Sequence, residues 1–438
     1  MGRLLFNYGL VDITPEEPVL LGGYANRSGL SREIHRRLTS RCVVLKQAEK
    51  ILCLIINDLM DVDPAIIDSI KVRISKGSAI DTVSILISSI HTHSAPETEY
   101  GRYEANDRYI DFAVKIISEN ACNIIGNKEG FEEAGLKYGR SFCDINIARR
   151  DIIPDDGGMS YRIGDPDGLT DKEVSILQLA DDAGIKKVTL FSYACHPVIL
   201  GYESNFVSTD FPGRAREVVE EAHGGMAVFM NGAAGDLNPR LTDQTDPSAV
   251  DREGELLGNA VVSAAMTDYT GTPELKIAAK TVSVPFRDQE ITKEHITREA
   301  ERKASDITEF FTWNEMLERW KKKVFEMIDR NEIRTSFTFK INAAKLGNTI
   351  IFCTQGEMFV RYQIELKRRF TEYHILCVAY VHGIGAYIPT AEAFEKKSYE
   401  ADQAYIYEVM PSPLSPAIEQ IYLDEAVGMI YELINTKL

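Results

Sequence analysis

Two histidines stand one residue apart in Ile90-His91-Thr92-His93-Ser94-Ala95-Pro96, directly after an apolar run over 82–90. In extended chain, residues two apart share a face. The loop beyond the carboxyl end of a strand is also where α/β proteins place ligand sites. The pair therefore suits a metal ligand with a partner beside it. His196 repeats the situation in Ala194-Cys195-His196-Pro197, after a second apolar run over 187–194. Pro197 stops that strand and holds His196 extended. A metal ion needs ligands that converge from separate elements, and two distant strand ends answer that need.

Three further segments carry polar groups at strand ends. Asn231-Gly232-Ala233-Ala234-Gly235-Asp236-Leu237-Asn238-Pro239-Arg240 follows the run 226–230, and its small residues let backbone approach a ligand. Asp236, Asn238 and Arg240 supply the polar groups; a plain tight turn is the alternative. Gln355-Gly356-Glu357-Met358 is read as opening a helix over 357–370, whose N-terminus keeps a carboxylate ionised, the form a metal takes. Such a Glu also simply stabilises a helix. Tyr387, in Gly385-Ala386-Tyr387-Ile388-Pro389-Thr390, reads as a buried tyrosine. Asp58 and Asp236 follow apolar strands and could orient ligands or serve in ordinary hydrogen bonding. The pattern His-x-His-x-Asp-His fails because Ala95 and Pro96 hold its last two places, and neither His-Glu-x-x-His nor Gly-x-Ser-x-Gly occurs.

The elements that must position these residues read as α/β. Short apolar runs rich in β-branched residues alternate with helical periodicity. Strands are expected at 41–47, 51–57, 82–89, 187–194, 226–230, 349–354 and 375–381, and helices at 64–76, 108–125, 212–222, 250–267, 357–370 and 415–435. The expected architecture is one large domain of mixed β-sheets layered with helices. The stretch 286–332 is highly charged, holds both tryptophans (Trp313, Trp320) and reads as a helical insertion: a lid, an oligomer contact or a surface helix pair.

Composition bounds the function. Of 438 residues, 44% are hydrophobic and 26% charged, enough to bury a core. The net charge of −17 works against nucleic acid or an anionic membrane as a general partner. No apolar run reaches the roughly 18–20 residues that span a bilayer. The N-terminal segment meets polar residues too soon for a secretory signal, so a cytoplasmic location is expected. Seven cysteines without a Cys-x-x-Cys pair read as reduced core thiols.

Taken in order, the segments resemble the N-terminal catalytic domain of the neutral/alkaline ceramidase family. They are Asp12-Ile13-Thr14-Pro15 with Gly22-Gly23-Tyr24; His91-Thr92-His93-Ser94-Ala95-Pro96; Ile147-Ala148-Arg149; Thr170-Asp171-Lys172-Glu173; Cys195-His196-Pro197; Gly235-Asp236-Leu237-Asn238-Pro239; Gly356-Glu357; and Tyr387 with Tyr399-Glu400. The resemblance implies a zinc amidase that cleaves an N-acyl bond. It implies that His91, His196, Glu357 and Tyr387 hold Zn2+, although these residue types also accommodate iron or manganese. It further implies that His93 handles protons, Tyr399 hydrogen-bonds the scissile carbonyl, and Arg149, with Arg150 adjacent, contacts substrate. Two departures stand out. Asn238 occupies the place of the serine in the family's Gly-Asp-Val-Ser-Pro, where an amide can still donate to an oxyanion. Because the sequence stops at Leu438, the family's C-terminal β-sandwich is expected to be missing. The expectation is a small-molecule or lipid-like amide substrate other than ceramide itself. A small polar amide, ester or lactone, or a catalytically silent binding protein, are the alternatives; the oligomeric state is left open.

Overall fold

Three β-α-β units, each with its two strands parallel, organise the computed structural model, which describes residues 2–152, 161–271, 273–304, 312–383 and 385–436. In the first, Lys50–Asn57 and Ile85–Ser89 flank the helix Pro64–Ser78. In the second, Lys186–Tyr193 and Met226–Asn231 flank the helix Phe211–His223. In the third, Thr349–Thr354 and His374–Val378 flank the helix Val360–Arg369. A parallel pair needs such a crossover, and its carboxyl ends emerge on one side. The candidate ligands all lie just beyond those ends.

Antiparallel strands extend each unit into a mixed sheet. The first has the order Ile85–Ser89, Lys50–Asn57, Thr39–Gln47, Leu5–Asp12, Glu132–Glu133; the second runs Met226–Asn231, Lys186–Tyr193, Glu173–Ala180, Gly135–Phe142, Ala265–Asp268; the third runs Leu275–Pro285, Ser336–Leu346, Thr349–Thr354, His374–Val378. The side-chain period of two explains the apolar runs: Leu52, Leu54 and Ile56 enter a core common to all three sheets, while Cys53 and Ile55 face the helices Pro64–Ser78 and Glu104–Gly126. In the third sheet Ile351 and Cys353 join that common core, and Ile350 and Phe352 face the tryptophans and the helix Ile418–Asn435. All seven cysteines are free, and all but Cys122 are buried.

The expected strands and helices are present, with displaced ends; the helix expected to run to 267 stops at Val262, and Ala265–Asp268 is a strand. Residues 82–84 form a 3-10 turn, because the Asp81 carboxylate accepts the Val83 N–H, and the strand starts at Ile85. The helix expected from 357 begins at Val360. Several strands went unread, among them Leu5–Asp12, Gly135–Phe142, Glu173–Ala180, Leu275–Pro285 and Ser336–Leu346; in the last three, Ser, Gln and Lys break the apolar runs. The helices Lys293–Ala304 and Trp313–Asp329 occupy most of 286–332; 305–311 lies outside the described residues. No described helix is long and apolar enough to cross a membrane.

Candidate functional site

The strand ends are stitched to one another before any side chain of the site is placed. Asn231, fully buried, donates from Nδ2 to Ile90 O, accepts the Cys195 N–H at Oδ1, and accepts the Ala379 N–H at its carbonyl. One residue thus ties the segments carrying His91, His196 and Tyr380. Gly235 N–H donates to Met358 O, joining the second unit to the third.

His91 is not extended, as its spacing from His93 led us to expect. Its φ is +70°, a left-handed conformation rare outside glycine, held by its N–H donating to Leu59 O. The chain turns sharply there, and this turn, rather than strand alternation, brings His93 Nε2 to 3.3 Å from His91 Nε2. Gly23 (φ +98°) makes room for the second ring: a Cβ there would fall 2.4 Å from His93 Cγ. The edge-on Tyr24 ring and the Arg27 guanidinium, which donates to His93 O, complete that cage.

Nδ1 of His91 lies 3.0 Å from Met60 O, and Nδ1 of His196 lies 2.6 Å from Ala234 O. A carbonyl only accepts, so each Nδ1 carries the proton and each Nε2 presents a lone pair. Both lone pairs face the same atom, Glu357 Oε2, at 3.4 Å from His91 and 3.0 Å from His196. Burial holds both rings neutral, with pKa values lowered to about 4 for His91 and about 3 for His196. Two unprotonated nitrogens against a carboxylate oxygen form no hydrogen bond, and His196 Nε2 and Glu357 Oε2 are without partners among the described residues. A cation is the species that converts this mutual repulsion into attraction. Nitrogens of His91, His93 and His196 all lie within 4.8 Å of one another.

Glu357 reaches this point on a short strand, Glu357–Met358, paired parallel with Tyr387–Ile388, which sets Glu357 directly beside Tyr387. This corrects the expectation of a helical Glu357: Gly356 (φ +86°) turns the chain first, and burial pushes the carboxyl pKa up. Tyr387 hydrogen-bonds Glu357 and accepts from Arg149 Nη2 at 3.3 Å. Arg149 is buried and fully engaged, with Nε on Glu400 Oε1 (3.0 Å), Nη2 on Gly235 O (2.7 Å) and Nη1 on Asn238 Oδ1 (3.3 Å). Because a guanidinium only donates, the Asn238 oxygen faces it and the Asn238 NH2 is left as the available donor. Tyr399, in the short helix Tyr399–Asp402, lies with its ring 6.0 Å from that of Tyr387.

The remaining candidates fall elsewhere. Asp58 makes a buried, two-pronged pair with Arg216 (2.6 and 2.8 Å) and accepts from Thr39, a structural role. Asp236 accepts the Val360 N–H at 2.8 Å, starting the helix Val360–Arg369, and burial raises its pKa to about 7. Arg240 pairs at the surface with Asp144. The side chain of Arg150 lies outside the described residues. Sequence reasoning missed Met60, whose contribution is a backbone carbonyl and leaves no signal. It also missed Tyr380, and Glu400 as the counter-ion of Arg149.

With this geometry in place, comparison with known proteins decides the family. Residues 5–318 match the family model described as neutral/alkaline non-lysosomal ceramidase, N-terminal. The chain belongs to this family. Membership makes it a ceramidase-like amide hydrolase. Two solved structures share its fold. A neutral ceramidase from Pseudomonas aeruginosa is 16% identical with a TM-score of 0.68, over 99% of this chain and 75% of that one. A ceramidase complexed with C2 is also 16% identical, with a TM-score of 0.69, over 99% and 76%.

Proposed function

We propose that the chain is a zinc-dependent amidase, with His91, His196, Glu357 and Tyr387 as the ligands. The observation that carries this reading is the pair of neutral Nε2 lone pairs converging on buried Glu357 Oε2, with His196 Nε2 and Glu357 Oε2 without hydrogen-bond partners among the described residues. Tyr387 fits as the fourth ligand by its place directly beside Glu357; burial and the Glu357 charge keep it a phenol with a raised pKa, against the opposing pull of the Arg149 guanidinium, until a cation takes its oxygen. Bound there, zinc lowers the pKa of water toward about 7 and polarises a carbonyl.

The chain's own residues divide the rest. His93, neutral by burial beside His91, takes the proton from the attacking water and returns it to the leaving nitrogen. The Asn238 NH2 and the Tyr399 hydroxyl donate to the carbonyl oxygen as negative charge grows on it. Arg149, occupied by Glu400 and Gly235, orients Asn238 and Tyr387. Water oxygen joins the carbonyl carbon, the C–N bond breaks, and a carboxylic acid and an amine leave.

The substrate is a small or lipid-like amide with a short acyl group. Beside Tyr387 the space walled by Pro389, Phe394, Met410 and Leu414 is about 10 Å3, room for a group the size of one water and too small for a long acyl chain. The test follows amine release from N-acetyl and N-palmitoyl derivatives of one amine, by apo protein and after adding zinc. Zinc-dependent release with the acetyl compound preferred is expected. Preference for the palmitoyl compound by tenfold or more overturns the short-acyl reading, and release unaffected by zinc removal overturns the metal.

A further inference from the structure

Tyr380 combines three features that core packing does not require. It has a φ of +60°, uncommon and strained for an aromatic residue, and is pinned there by its N–H on Gly356 O (3.2 Å) and its carbonyl accepting Ser89 N–H (3.4 Å). Its ring stacks on His91 with centroids 4.2 Å apart and planes 16° from parallel, and stands edge-on to His196 at 6.4 Å. Its hydroxyl, on a side chain 1% exposed, has no hydrogen-bond partner among the described residues. A phenylalanine would fill the same space and leave no orphaned polar atom in a buried position, where such atoms are costly.

We propose that Tyr380 has two roles at the site, one for each part of its side chain. The ring is a positioning group: it presses on one face of His91 while Met60 O holds Nδ1, so Nε2 is fixed in the direction of Glu357. The hydroxyl donates to the substrate's carbonyl oxygen, alongside Asn238 and Tyr399. This rests on the zinc-amidase reading above.

The two roles separate in two variants, Tyr380→Phe and Tyr380→Leu, measured beside wild type. Zinc dissociation constants come from chelator competition, and kcat and KM from zinc-dependent hydrolysis of 4-nitrophenyl acetate. Tyr380→Phe keeps the ring, so its zinc affinity and KM are expected within about twofold of wild type, with kcat reduced about 10- to 100-fold. Tyr380→Leu removes the stack and is expected to weaken zinc about tenfold or more. Full kcat in Tyr380→Phe overturns the hydroxyl's role, and this isosteric variant decides it even if Tyr380→Leu does not fold. Wild-type zinc affinity in folded Tyr380→Leu overturns the clamp. Failure of wild type itself to bind zinc, or to show zinc-dependent turnover, brings down the underlying reading and this inference with it. Zinc-dependent turnover unchanged in Tyr380→Phe defeats the hydroxyl's role alone.

Discussion

We propose that Asn238, which stands where the resemblance places the family's serine, serves the substrate through its amide. Its oxygen is fixed by Arg149, so only the NH2 can serve a substrate. Asn238→Ala is expected to lower kcat about tenfold, and Asn238→Asp about a hundredfold because a carboxylate would meet the growing oxyanion. Zinc content should be unchanged in both; steady-state kinetics with metal analysis checks this, and wild-type kcat in Asn238→Asp excludes the amide from the chemistry. His91 and His196 were legible in the sequence from their places at the ends of apolar runs. Glu357 and Tyr387 were legible only through the family resemblance, since an acidic residue after a strand and a tyrosine in a loop have ordinary explanations. The positive φ of His91 and the stack of Tyr380 upon it were not legible, because both are set by contacts between distant segments.

Among the elements, the two-residue strand pair Glu357–Met358 and Tyr387–Ile388 positions two proposed ligands at once, and Gly235 packs against its backbone. A Cβ at Gly235 would lie 2.6 Å from Glu357 O and 3.0 Å from Met358 O, and main chain cannot yield as a flexible side chain can. Gly235→Ala is therefore expected to cost about 1–3 kcal/mol of stability by overpacking. Zinc affinity should fall about tenfold or more as Glu357 shifts. Denaturant unfolding and chelator titration read the two effects; unchanged affinity would mean that the pair does not depend on this contact. Strands such as Lys50–Asn57 and Met226–Asn231 announced themselves as unbroken apolar runs, whereas buried Glu173–Ala180, interrupted by Ser175 and Gln178, did not. Nor did Leu275–Pro285, half-buried and interrupted by Lys276 and Lys280. Helix 357–370 was expected three residues early because Gly356 and the strand pair override the local helical pattern.

At the scale of the whole molecule, the three sheets share one core, and we propose that the chain unfolds as one cooperative unit. His374 is one of the links between sheets. Its Nε2 donates to Ile176 O at 3.0 Å, and burial, aided by Arg140, lowers its pKa to about 4. Unfolded, the same residue titrates near 6.5, so between these values the unfolded chain binds more protons and stability rises with pH. The contribution, about 3 kcal/mol, is complete above about pH 6.5 and is lost as pH falls toward 4. Urea unfolding at pH 7.5 and 5 should show wild type losing about 2 kcal/mol more than His374→Gln. Equal losses would show that His374 titrates normally in the fold.

The central claim is that His91 is a ligand of a zinc ion on which turnover depends. The direct test is zinc content per chain, together with zinc-dependent amide hydrolysis, in wild type and His91→Ala. The account predicts about one zinc per chain in wild type, and loss of both metal and turnover in the variant. A folded His91→Ala that keeps its zinc and its activity would contradict it.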